Sequence, residues 1–302
     1  MRGLVIVIGV ALAGCNQIFG LSDTILRDGS TSGDDGGGGN VDARPIVPPD
    51  GTTSCGGVPD FEAWTYTART LSGFSQSIGT FGVYAGSNGE HMIVTPLDGS
   101  SIWDVDLVAG SSMPIAGLMP PSGKAIMSVA TCPDGAAVWF KIDAASYVAL
   151  RATGFVRQQT ELGLPNAYEV LPGAVAYYAG ELRMVARVRD TSSSQTAYVE
   201  LSSTDGITWT RGATLPFGGA GYYAAALSAD GCTLTFSHQD TGSTIVPYRA
   251  SRDSSGVFGT PVKLTLASTV ASTVFNPTLS PNNLGVWMTV IGGSSPLYRG
   301  QP

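Results

Sequence analysis

An all-β fold, a β-propeller most simply of five blades, is predicted by three features of the sequence. Five short turns recur: Ser87-Asn88-Gly89, Pro133-Asp134-Gly135, Ala179-Gly180, Ala229-Asp230-Gly231 and Pro281-Asn282-Asn283. Their last residues lie 46, 45, 51 and 52 positions apart, the repeat length of a four-stranded blade. An alternating run rich in β-branched and aromatic residues follows each turn: His91 to Thr95, Ala137 to Ile142, Leu182 to Val188, Thr233 to Ser237 and Leu284 to Val290. The 40 Gly and 18 Pro among 302 residues supply the many turns that short strands require.

The N-terminus is a different kind of sequence. Arg2 precedes an apolar run, Gly3 to Ala11, too short to span a bilayer. Leu12-Ala13-Gly14-Cys15 follows. These residues resemble the lipobox of bacterial lipoproteins. The resemblance implies a signal peptide over 1–14 and lipidation of Cys15, which becomes the new N-terminus. Asn16 is not the Asp that retains enteric lipoproteins at the inner membrane. The expected address is therefore extracytoplasmic and lipid-anchored, with the outer membrane favoured over the inner.

Residues 15–57 are expected to form a disordered tether. They contain Gly36 to Gly39, Pro45, Pro48 and Pro49, and too little apolar surface to offset their ordering entropy. Asp23, Asp28, Asp34, Asp35, Asp42 and Asp50 outweigh Arg27 and Arg44, so most of the net charge of -7 lies here. The acidic residues lack the alternate spacing of a calcium loop. A flexible chain of this length spans roughly 35 Å. The propeller domain is assigned to 58–302.

Cys55, Cys132 and Cys232 remain after the lipidated residue. The compartment permits disulfides, and three cysteines allow at most one bridge within the chain. Cys132 and Cys232 both sit beside turns, and that pairing is preferred; Cys55 is able to reach either. There is no Cys-x-x-Cys, and the only histidines are His91 and His238. No metal site and no cofactor are expected.

Second strands of the repeats follow at Ile102 to Leu107, Tyr147 to Arg151, Thr196 to Leu201 and Thr244 to Arg249. The last unit ends soon after Arg299, so its outer strand is missing from the C-terminus. Phe61 to Ala68 alternates and is placed there, closing the ring and removing an open sheet edge. Six blades are the runner-up, with Arg69 to Gly82 and a C-terminal remnant forming a further sheet. A jelly roll is a third option, disfavoured by the long period.

Leu227 to Ser237, with its turn Ser228-Ala229-Asp230-Gly231, and Val129-Ala130-Thr131-Cys132-Pro133-Asp134-Gly135 resemble the SPDG-type repeat of TolB-like β-propellers. Phe275 to Asn283 is similar, with Asn283 in place of the glycine. Asn also tolerates the left-handed backbone. The resemblance implies that Asp134, Gly135, Asp230 and Gly231 shape the turn between the first two strands of a blade. Ser203-Thr204-Asp205-Gly206-Ile207-Thr208-Trp209 resembles, one residue short, the Asp-box of sialidase-type propellers. There Asp205 is implied to cap turn amides and Trp209 to pack between blades, which are structural roles.

Chemistry is harder to find. No basic run exists, which excludes a nucleic-acid partner. Arg151, Arg157, Arg183, Arg187, Arg189, Arg211, Arg249, Arg252 and Arg299 are scattered. Arg183, Arg187 and Arg189 share a strand face, for which surface solvation is the expected role. No nucleophile elbow or phosphate loop is present. Tyr177, Tyr178, Tyr222 and Tyr223 lie on innermost strands, so one of each pair is placed to face the channel or its rim. Inter-blade packing is the weightier reading of these four, and glycan or peptide contact the sharper one. The expected function is a non-enzymatic binding or scaffold role at the cell envelope. The partners are the membrane through the lipid and an unidentified envelope protein or glycan. The alternative is a glycan-binding or sialidase-like hydrolytic propeller.

Overall fold

The structure, a computed structural model, describes Cys55 and residues 64–164, 168–219, 221–240, 244–266, 273–290 and 297–302. Residues 1–54, on which the expected signal peptide, lipidated Cys15 and most of the expected tether fall, lie outside the described residues, as do 56–63.

A short strand, β1 (Thr65–Arg69), comes first. Four antiparallel blades follow. The first holds β2 (Ile78–Gly86), β3 (Gly89–Pro96), β4 (Trp103–Asp106) and β5 (Ser111–Pro114). The second holds β6 (Ile126–Thr131), β7 (Ala137–Ile142), β8 (Ala145–Leu150) and β9 (Val156–Gln159). The third holds β10 (Tyr168–Tyr178), β11 (Glu181–Asp190), β12 (Thr196–Ser203) and β13 (Thr210–Thr214). The fourth holds β14 (Tyr222–Leu227), β15 (Thr233–Gln239), β16 (Ile245–Ser251) and β17 (Val262–Lys263). The fifth holds β18 (Val274–Leu279), β19 (Val286–Val290) and β20 (Leu297–Gln301). β1 completes it from the N-terminus, with Tyr66 opposite Gly300. The ring therefore closes with five blades, not six. Residues 70–77 run as a loop from β1 into the first blade.

Each apolar cluster lies between neighbouring blades. Phe140 and Val138 meet Ile93 and Tyr84 between the first two. Trp139 meets Met184 and Trp209 at the next junction. Phe236 and Leu234 pack on Tyr198 and Val185 between the third and fourth. Leu264 reaches the fifth blade's Val274 and Met288, and Trp287 and Leu297 reach Phe81 and Met92 of the first. A second strand is thus buried on both faces, which explains why β7 and β19 are buried throughout.

All five repeated turns join the first and second strands of a blade. In the fourth, Asp230 Oδ1 accepts from Cys232 N (3.0 Å), and Ser228 Oγ accepts from Thr233 N (2.8 Å). Asn282 repeats the first contact with Leu284 N (3.0 Å), and Asn283 takes the left-handed backbone at φ 58°. The third turn differs because Ala179 and Gly180 are both left-handed (φ 51° and 78°), a two-residue hairpin that needs no Asp.

The cysteine pairing corrects the expectation. Cys232 is bonded to Cys55, with Cα atoms 5.4 Å apart, and Cys132 is a buried free thiol. Cys132 and Cys232 sit on the second and fourth blades, which the third separates. They also occupy different turn positions. Cys132 stands where the other copies have Ser228 and Ser280. Its thiol donates to Asp134 Oδ1 (2.9 Å) and accepts from Ala137 N (3.1 Å), copying the serine contacts. Cys232 lies beyond the turn glycine and meets the chain arriving to close the ring.

Candidate functional site

The innermost strands share one irregularity. Each carries one residue more than its partner can pair. The extra residue lies between Ile78 and Phe81, Ile126 and Ser128, Leu171 and Ala174, Tyr222 and Ala225, and Phe275 and Thr278. Five β-bulges thus ring the channel at one level, near the start of each inner strand. Bulges bend the strand and re-aim its side chains. At Gly79 and Gly173 the bent backbone leaves no room for a side chain. A Cβ on Gly173 would sit 2.3 Å from the Val185 carbonyl oxygen, and one on Gly79 would sit 2.7 Å from that of Pro96.

A bulge frees backbone polar groups, and at the first and fourth bulges a side chain of the neighbouring blade satisfies a freed carbonyl. Val129 N donates to Thr80 Oγ1 (3.1 Å), and Asn276 Nδ2 donates to the Gly79 carbonyl (3.0 Å) across the closure of the ring. Tyr198 donates its hydroxyl to the Tyr223 carbonyl. Burial holds the Tyr198 phenol well above its ordinary range, so it remains a donor.

The bulges open the channel into a mouth of about 540 Å³, within the usual range for small-ligand sites. Beyond them, between the same inner strands, lies a much smaller space of about 40 Å³ beside Pro133, Ala229 and Pro281, at the turn end. The mouth is apolar on Ile78, Phe81, Leu171 and Phe275, and hydroxylated at Thr80, Ser128, Thr278 and Thr289. Leu97 and Met127 stand exposed on it. Arg187 is the one charged residue among its described lining. It reaches the lumen from β11, opposite Leu171 where the third bulge begins. Its guanidinium carbon lies 5.9 Å from the Tyr223 ring centre, and Tyr223 meets Phe275 edge to face at 5.3 Å.

Of the four sequence-selected tyrosines, only Tyr223 lines the mouth. Tyr177 donates to Asp134 of the preceding blade (3.2 Å). Tyr178 lies under the Arg252 guanidinium at 4.4 Å. Tyr222 packs on Phe236 and His238. Asp205 accepts from Ile207 N and Thr208 N, both at 2.8 Å. Partial burial raises its carboxyl, but these two bonds together with that from Ser203 (3.0 Å) hold it below the ordinary range. Gly206 O accepts from the indoles of both Trp139 (2.8 Å) and Trp209 (3.1 Å), tying the second blade to the third.

Two of the arginines that sequence spacing left scattered form inter-blade clamps of the same design. Arg252 grips Glu200 (2.7 and 3.3 Å), donates Nε to the Gly231 carbonyl (2.8 Å) and stacks on Tyr178. Arg151 binds Asp104 (3.1 Å), donates Nε to the Gly135 carbonyl (3.0 Å) and lies over Tyr84. These clamps lie away from the mouth and hold blades together. His91 bonds Asn88 and Asp104, and His238 bonds Asp240. Among the described residues no group of three potential ligands could hold a metal ion, and no helix is long and apolar enough to cross a membrane.

Fold and site together define a class: a five-bladed β-propeller with a bulge-lined, ligand-sized mouth at one end of its channel. No family model and no curated protein matches the chain. Solved structures with a similar fold include TolB from Acinetobacter baumannii, at 15% identity and TM-score 0.43 over 75% of this chain and 55% of that one. The putative TolB from Agrobacterium tumefaciens matches at 16% and 0.44, over 73% of this chain and 82% of that one. An ancestral GH74 enzyme matches at 12% and 0.42, over 74% and 42%. The chain thus spans about half the length of the Acinetobacter protein. Similarities this distant carry nothing about ligand or activity.

Proposed function

We propose that this is a lipid-anchored cell-envelope protein whose propeller has a non-enzymatic binding role, with the mouth of the channel as its ligand site. The observation that supports the reading is the ring of five bulges. It opens a ligand-sized cavity lined by apolar and hydroxyl groups, with the bulge carbonyls of Gly79 and Tyr223 bonded across the blades. Such a lining recognises shape and a few polar groups. Glycoside hydrolysis needs paired acidic groups at the scissile bond, or a tyrosine nucleophile with an acidic partner. The described lining of the mouth contains no carboxylate. A glycan-binding role without hydrolysis is favoured by one feature, the Tyr223–Phe275 aromatic pair in the lining.

The binding claim is tested by ligand-observed NMR with a library of small neutral and charged fragments. Ala224→Trp, which fills the mouth, is expected to abolish most binding seen with wild type. Val262→Trp, on an exposed outer strand, is expected to leave it unchanged. Equal binding by all three proteins contradicts the mouth as the site. For the address, Cys15→Ser is expected to release the protein from the membrane fraction. Wild-type protein that is already soluble after signal removal contradicts the lipid anchor.

A further inference from the structure

Arg187 is an unusual lining residue. Its Nε is buried and makes no hydrogen bond to any described residue. No described carboxylate pairs with it, whereas Arg151, Arg183, Arg252 and Arg299 each have one. A guanidinium carries five donors in a planar fork suited to a carboxylate. That nitrogen is closed to the mouth, and the two terminal nitrogens of the fork, which are not buried and bond no described residue, are the donors left for a ligand anion. The centre of the Tyr223 ring lies 5.9 Å from the guanidinium carbon. Around it lie Leu171, Phe275, Ile78 and the exposed Leu97 and Met127, a surface for an apolar body.

Resting on the mouth being the binding site, we propose that the ligand is a small amphipathic monoanion. Its apolar or aromatic body fills the bulge-lined cavity, and its single carboxylate pairs with Arg187. The lone positive charge makes a second anionic group on the ligand unfavourable.

The test uses two probes of nearly the same shape, 2-naphthoate and 2-naphthamide, with binding to the intact protein measured by calorimetry. Wild type is expected to bind the acid at least about tenfold more tightly, the lower end for a hydrogen bond to a charged group. Arg187→Gln is expected to bring the two probes within about twofold of each other. Arg187→Lys keeps the charge and is expected to retain a preference for the acid, which separates loss of charge from loss of fold. Equal affinity of wild type for both probes, or a preference for the acid that survives in Arg187→Gln, overturns the proposal. If neutral fragments bind in the mouth and neither probe does, the anionic specificity falls while the binding site stands. If no fragment binds there at all, the site itself falls.

Discussion

Arg252 in the fourth blade holds both carboxylate oxygens of Glu200 in the third, at 2.7 and 3.3 Å, and its side chain is only 2% exposed. Removing Arg252 leaves Glu200 buried with only Arg183, at 3.6 Å, to offset its charge. Arg252→Met is expected to cost about 3 kcal/mol, the lower end for a broken buried pair, in urea unfolding. The double variant Glu200→Leu/Arg252→Met is expected to recover much of that loss. Arg151 makes the corresponding contact with Asp104 but is 41% exposed. Arg151→Met is therefore expected to cost no more than about 1 kcal/mol from the lost ion pair. Equal losses at the two sites would contradict the assignment of one as buried and the other as solvated.

Cys132 fills a serine's place in its turn. Burial, followed by the charge and hydrogen bond of Asp134, pushes its thiol well above the ordinary range, so it is not a nucleophile. Cys132→Ser is expected to change stability by less than about 1 kcal/mol, because Ser228 and Ser280 do the same work elsewhere. Cys132→Val loses both turn contacts and is expected to cost about 1–3 kcal/mol. Alkylation of native protein by iodoacetamide is expected only on unfolding; rapid labelling of Cys132 in the folded state would refute its burial.

The Cys55–Cys232 bridge spans 177 positions of sequence. Constraining so long a loop stabilises by up to about 5 kcal/mol in the chain-entropy account. Cys55→Ser and wild type in reductant are expected to show the same lowered Tm, with no further drop when the two are combined. Peptide mapping without reductant should recover the 55–232 linkage, and a 132–232 peptide would overturn it. The bridge also fixes where the N-terminal segment joins the propeller. Cys232 lies at the turn end of the inner strands, so the segment attaches away from the mouth.

Asp240 sits at the edge of the fourth blade, bonded by Lys263 Nζ (2.7 Å) and Tyr248 Oη (2.8 Å). The Lys263 bond first, then that of Tyr248, holds its carboxyl at about 2 against an ordinary 3.8. A folded value below the unfolded one contributes stability that is present above about pH 4 and lost as pH falls towards 2. The group is solvent-screened, so the contribution is small and weakens with salt. Carboxyl NMR is expected to place the midpoint near 2 in wild type and higher in Lys263→Met. The same midpoint in both proteins would remove Lys263 as the cause.

The turns were legible in the sequence because their chemistry is local: an Asp or Asn side chain caps its own backbone, and Gly or Asn takes the left-handed conformation. Strand β1 was legible because Phe61 to Ala68 alternates and the last blade lacked an edge. The bulges were not legible, since two residues facing one is a property of a pair of strands. Gly79 and Gly173, glycines inside apolar runs, were the available signal. Arg187 was visible only as part of the Arg183, Arg187 and Arg189 face. Arg189 is exposed and Arg183 pairs with Glu181 and Glu200, while Arg187, opposite the start of the third bulge, lines the mouth. The cysteine pairing escaped because ring closure brings Cys55 to the fourth blade, a contact no local spacing reports.

A crystal structure of the protein soaked with 2-naphthoate shows whether ligands enter the bulge-lined mouth. The naphthyl ring is expected among Leu171, Tyr223 and Phe275, with its carboxylate on the Arg187 guanidinium. A probe bound only at the turn end or on the outer strands, with Arg187 paired instead to a carboxylate of the chain itself, would contradict that placement.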